Sequence, residues 1–131
     1  MAGVYLDTSA VGRILLAEPD AAAILRDLGS FEQRVASRLL RVELRRLAVR
    51  EGRLAAADEL LAGIALVPID ADLLTAAETL PPVTVGTLDA IHLATALRLA
   101  GGDHIDALMT YDKRLADGAR HHGLTVLTPV A

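Results

Sequence analysis

The chain has 131 residues, 53% of them hydrophobic, with no cysteine, no tryptophan, one phenylalanine and two tyrosines. That length suits one domain built on an aliphatic core, and the lack of cysteine excludes disulfides, thiolate metal sites and cysteine nucleophiles, so any metal must be held by oxygen or imidazole. Seventeen acids against thirteen bases give a net charge of −4, which excludes a surface coated in positive charge for general nucleic-acid binding.

In chain order, Val4–Leu6 is a short β-type run ending at Asp7, and Thr8 is placed to cap a helix through Val11, Ile14 and Leu15 that stops before Pro19. Pro19 and Asp20 open a second helix that closes at Gly29. Arg34–Ala36 suits a short strand, Ser37 caps a long helix closing at Gly52, and a further helix runs from Arg53 to about Ala62. The span 64–69 reads as a strand, and Asp70 caps a helix from Ala71 to Leu80 that ends before Pro81 and Pro82. Thr87 is placed to cap a helix from Leu88 to Ala100, ended by Gly101 and Gly102. A strand over Ala107–Thr110, a helix over Asp112–His122 stopped by Gly123, and a strand over Leu124–Leu127 complete the reading. Strands alternating with helices indicate an α/β domain with a mainly parallel central sheet. No linker-like segment divides residues 1–131, so a single domain is expected. The most continuous apolar run, Leu60–Ile69, is broken by Gly63 and Pro68 and falls short of the roughly 20 residues that span a bilayer. With no export signal at Met1–Leu6, a cytoplasmic location is the expectation.

Four acids break the apolar pattern. Ligands in open α/β sheets bind outside the carboxyl ends of the strands, where Asp7 and Asp112 fall. Asp112 is also well placed as a plain helix cap. Leu40, Glu43, Leu44 and Leu47 share the i, i+3, i+4, i+7 stripe of a core-facing helix. A carboxylate there needs a cation or must stay protonated, unless it reaches the stripe's edge and pairs with Arg46 or Arg50. Asp89 lies in the first turn of an otherwise apolar helix, a place the helix dipole tolerates. Taken singly each acid has a bland account; taken together they indicate one site for a hard divalent ion such as Mg²⁺ or Mn²⁺. Without these four, acids and bases balance at thirteen each, so the charge permits an anionic substrate.

The segments Tyr5-Leu6-Asp7-Thr8-Ser9-Ala10, Arg41-Val42-Glu43-Leu44, Leu88-Asp89-Ala90-Ile91-His92-Leu93-Ala94 and Thr110-Tyr111-Asp112-Lys113-Arg114-Leu115 resemble, in order, those of the PIN-domain ribonucleases, in particular VapC-type toxins. The resemblance spans nearly the whole chain. It implies a three-layer α/β/α PIN-like domain and a Mg²⁺- or Mn²⁺-dependent endoribonuclease with Asp7, Glu43, Asp89 and Asp112 as catalytic metal ligands. A metal-activated water would attack in line and leave a 5′-phosphate. Thr8, Ser9 and Thr110 resemble positions that orient the acids or contact phosphate, where helix capping or a strand-end hydrogen bond serves equally. The resemblance further implies an RNA substrate, a homodimer and a cognate VapB-like antitoxin whose extended segment enters the active-site groove.

Arg38, Arg41 and Arg45 share one face of the third helix, a candidate RNA-guiding patch or a solvated face. His92 reads as a hydrogen-bonded core histidine, His121 and His122 as a solvated helix end, and Asp103 and Asp106 as turn residues. Two rivals remain. A metal-dependent phosphatase would carry a second aspartate two residues beyond Asp7, where Ser9 stands, or a late strand-end lysine, and Lys113 is the single lysine. An inactive PIN-like binding module would use the acids to hold a partner's basic segment.

Overall fold

A computed structural model describes residues 2–131. Its elements are β1 (Gly3–Leu6), α1 (Thr8–Leu15), α2 (Ala21–Leu28), β2 (Gln33–Ser37), α3 (Arg38–Glu51), α4 (Leu54–Ala62), β3 (Ala65–Val67), α5 (Ala71–Glu78), α6 (Thr87–Gly101), β4 (Ala107–Met109), α7 (Lys113–His121) and β5 (Val126–Leu127). Every pairing is parallel, in the order β3-β2-β1-β4-β5. The chain therefore builds outward from β1 to β3, then returns to place β4 on the other side of β1. The carboxyl ends of β1 and β4 flank the switch point, where open α/β sheets place their ligands.

Period-two alternation along the strands divides the core into two layers. Val4, Leu6, Ala36, Ala107 and Met109 point to one side and pack with Val11, Ile24, Leu40, Leu44 and Ala57 of α1, α2, α3 and α4. Tyr5, Val35 and Leu108 point to the other and pack with Leu93, Ala96, Leu115 and Ala119 of α6 and α7. The result is the three-layer α/β/α arrangement expected. No helix among the described residues is long and apolar enough to cross a membrane.

The caps sort the expectations. Ser37, Asp70 and Asp112 accept hydrogen bonds from Leu39 N, Leu73 N and Leu115 N at 2.9, 2.8 and 3.0 Å. Asp70 also binds Arg98 through both of its oxygens, tying α5 to α6. The expected caps Thr8 and Thr87 are corrected: Asp7 and Gly86 hold the N-cap positions, and neither uses a side chain to cap. Thr8 is drawn away because its hydroxyl has a stronger acceptor in Glu43. The strand expected over 64–69 contracts to Ala65–Val67, since Pro68 supplies no N–H to a ladder. The helix expected to reach Leu80 ends at Glu78.

Candidate active site

Asp7 follows β1 and is 4% exposed. Its Oδ2 accepts the hydroxyls of Ser9 at 2.7 Å and Thr110 at 2.8 Å. Each hydroxyl in turn accepts a backbone N–H, Ser9 from Tyr111 at 2.8 Å and Thr110 from Asp112 at 3.0 Å. A hydroxyl that receives a backbone proton donates its own onward, so these two side chains transmit the fixed loop geometry to the carboxylate. Thr110 is fully buried, and its hydroxyl is occupied in holding Asp7.

Glu43 projects from α3 on the stripe that also buries Leu40 and Leu44. Its Oε1 accepts Thr8 Oγ1 at 2.7 Å and His92 Nε2 at 2.8 Å. Neither Arg46 nor Arg50 pairs with it; the histidine answers the misfit that periodicity revealed. Burial by itself would raise the Glu43 pKa, but the hydrogen bonds from His92 and Thr8 outweigh it and hold the carboxyl below its ordinary range. His92 Nε2 also lies 3.7 Å from Asp7 Oδ1, so one imidazole edge faces both acids.

Asp89 and Asp112 form the second pair. Asp112 spends Oδ1 on the α7 cap and touches the Asp89 side chain. Burial, then the negative charges of Asp112 and Asp7, push the Asp89 carboxyl up to about 7. Crowded carboxylates with no compensating cation raise a pKa in this way, and a hard divalent ion relieves it. Asp7 and Glu43 each have one oxygen pinned by two side-chain donors, and among the described residues neither Asp7 Oδ1 nor Glu43 Oε2 receives a hydrogen bond. That donor set fits Mg²⁺ or Mn²⁺. Among the described residues no three carboxylates or imidazoles close around one point as a finished ligand cage; the four acids instead lie as two linked pairs along one rim of the sheet.

Arg13 rests over the Tyr111 ring, 4.0 Å from its centroid, and pairs with Asp20 at 3.0 Å. With Thr8, Ser9, Gly12, Glu18 and Leu47 it lines a cleft of about 340 Å³ beside the acids. Arg41 is half-buried on α3, and Arg45 is paired with Asp58. Tyr5 is the participant the sequence did not single out. Its phenol oxygen sits 2.7 Å from His92 Nδ1 and accepts the Ser37 N–H at 3.2 Å. A polar tip on a fully buried strand residue is the signal that could have found it. His92 is the buried histidine expected, but its partners include Glu43.

The switch-point crevice, the hydroxyl-anchored aspartate and the carboxylate pair define a class. A family model of the PIN domain matches residues 4–128, and the chain belongs to the PIN-domain family. Among curated relatives it is 40% identical to Ribonuclease VapC46 of Mycobacterium tuberculosis, over 98% of this chain and 99% of that one. It is 36% identical to Ribonuclease VapC47 of the same species, over 98% of each. Among solved structures it superimposes on a toxin–antitoxin complex from Klebsiella pneumoniae with a TM-score of 0.74 at 20% identity, covering 97% of this chain and 98% of that one. Mycobacterium tuberculosis VapC20, a Sarcin-Ricin loop cleaving toxin, matches with a TM-score of 0.71 at 18% identity over 96% and 99% of the two chains.

Proposed function

We propose that the chain is an endoribonuclease of the VapC type, the toxin of a toxin–antitoxin pair, acting as one domain through Asp7, Glu43, Asp89 and Asp112. The observation that carries this reading is the pairing of anchored carboxylates at the switch point: each of Asp7 and Glu43 is held by one oxygen, and the charge of Asp7 reaches the crowded Asp89–Asp112 pair. The similarity to two named ribonucleases along almost the whole chain supports RNA as the substrate.

PIN-domain ribonucleases are in general dependent on a divalent metal; here the proposed ion is Mg²⁺ or Mn²⁺, held by the four acids. Such an ion supplies Lewis acidity that activates water and offsets charge on the scissile phosphate. The chain's own residues do the positioning. Ser9 and Thr110 orient Asp7, Thr8 orients Glu43, and Asp112 holds its place through the α7 cap. Arg41, with Thr8 and Ser9 at the cleft mouth, would steer the RNA backbone.

A VapB-like antitoxin is the proposed partner. Supporting it is a largely apolar groove of about 680 Å³ lined by Leu74, Leu80, Pro82, Val85 and Ile91, which opens beside Thr87 and Ala90 at the Asp89 turn of α6. A homodimer in the cytoplasm completes the proposal. Purified protein should cut RNA with Mn²⁺ and stop with chelator. Asp7→Asn and Asp89→Asn should each lower cleavage by more than about 100-fold, since loss of mere outer partners of a metal site already costs 10- to 100-fold. Full cleavage by either variant in a contaminant-free preparation would sink the assignment.

A further inference from the structure

Behind the acids a hydrogen-bonded chain runs from Ser37 N to Tyr5 Oη at 3.2 Å, from Tyr5 Oη to His92 Nδ1 at 2.7 Å, and from His92 Nε2 to Glu43 Oε1 at 2.8 Å. Ser37 and Tyr5 are fully buried and His92 is 1% exposed. We propose that His92, braced by Tyr5, is a positioning residue that fixes Glu43 by Oε1 and turns Oε2 toward the crevice. The inference rests on the nuclease reading for its consequence, though not for its geometry.

Proton placement follows from the partners. Nε2 faces a carboxylate oxygen at hydrogen-bond distance, so it must carry a hydrogen; a bare nitrogen lone pair there would repel the acid. Tyr5 already accepts the Ser37 N–H through its phenol oxygen, so the phenol's own proton is the one left to donate to Nδ1. An imidazole that accepts at Nδ1 donates at Nε2. The phenol thus selects the ring nitrogen that holds Glu43.

The three anchors also lie on the elements that carry the acids. Tyr5 stands two residues before Asp7 on β1, Ser37 caps α3 ahead of Glu43, and His92 sits one turn after Asp89 on α6. One chain of bonds therefore sets the spacing of three of the four carboxylates. Stability alone does not account for it, because replacing a buried polar network by apolar side chains of similar shape is often neutral or stabilising. What apolar residues could not do is hold one oxygen of Glu43 and leave the other unbound.

The test compares Tyr5→Phe, His92→Leu and His92→Gln with wild type by Mn²⁺ titration calorimetry, RNA cleavage rate and thermal melting. His92→Leu should weaken Mn²⁺ binding and cleavage by about 10- to 100-fold. His92→Gln, which can still donate to Glu43, should recover most of that loss, and Tyr5→Phe should fall between. In a Glu43→Gln background, His92→Leu should add no further loss in Mn²⁺ affinity, because the two act as a unit. A folded His92→Leu protein with wild-type Mn²⁺ affinity, or an additive loss in that background, overturns the proposal. Should His92→Leu not fold, Tyr5→Phe, which keeps the ring and its packing, carries the same readouts. Long-range ¹H–¹⁵N spectra of the wild-type imidazole need neither metal nor RNA. A proton on Nε2 whose signal moves in Glu43→Gln supports the inference, and an unprotonated Nε2 overturns it. A wild-type chain that binds no Mn²⁺ and cuts no RNA defeats the nuclease reading instead, and the spectra still judge the hydrogen bond.

Discussion

At Asp89, burial and the neighbouring charges of Asp112 and Asp7 hold the carboxyl near a pKa of about 7, well above an ordinary aspartate. An acid whose folded pKa is raised keeps its proton in the native state after the unfolded chain has lost it. Its contribution is therefore fully present below the unfolded value and is lost as pH rises through about 7. The metal-free chain should melt at falling temperature between pH 5 and pH 8, and Asp89→Asn should flatten that fall. Mn²⁺ should raise the melting temperature more at pH 8 than at pH 5, since proton and cation compete for the same oxygens. Differential scanning calorimetry of both proteins with and without Mn²⁺ reads this, and identical pH slopes for wild type and variant would refute it. Glu43 behaves in the opposite sense because its partners are donors. Two acids on one rim thus differ in proton affinity through what touches them, which their positions in the sequence did not disclose.

Elements were legible where local chemistry was unopposed. Ser37, Asp70 and Asp112 each give an oxygen to the first turn of the following helix, and for Asp70 the cap is compatible with its second partner, Arg98. Thr8 reads in the sequence as an equally good cap, yet it lies inside α1 and bonds Glu43, 35 residues further on, a competition invisible locally. The strand expected over 64–69 is bounded by its partner as well as by Pro68, its ladder closing at Ser37 and Val67, where β2 itself ends. Close approach between elements was likewise hidden. A Cβ at Gly3, where β1 opens, would strike the backbone carbonyl of His104, which cannot swing aside as a side chain tip would. Gly3→Ala should therefore destabilise the protein by about 1–3 kcal/mol, measured by chemical denaturation. An unchanged midpoint would show that the 104–106 segment yields freely.

Over the whole molecule the charge is −4, so RNA must be met by a local cationic region and by neutralisation of the acidic rim. Among the described residues Arg38 and Arg41, in the first turn of α3, make no ion pair, whereas Arg45 is spent on Asp58. If both arginines contact phosphate, replacing them with alanine should weaken RNA binding and lower the salt slope of log affinity by about 1.4, with the cleavage products unchanged. Filter binding across a salt series measures it, and an unaltered slope would reassign the patch to a solvated face. The sequence by itself determined the α/β alternation, the parallel sheet and the four acids that break its apolar pattern, because periodicity and punctuation are local and each acid stands at a strand end or on an otherwise apolar helical face. Only the tertiary structure decided who holds those acids. Ser9 and Thr110 meet across 101 residues, Tyr5 and His92 across 87, and His92 and Glu43 across 49. Such partners are chosen by the order in which strands lie in the sheet, a long-range outcome that no window of sequence contains.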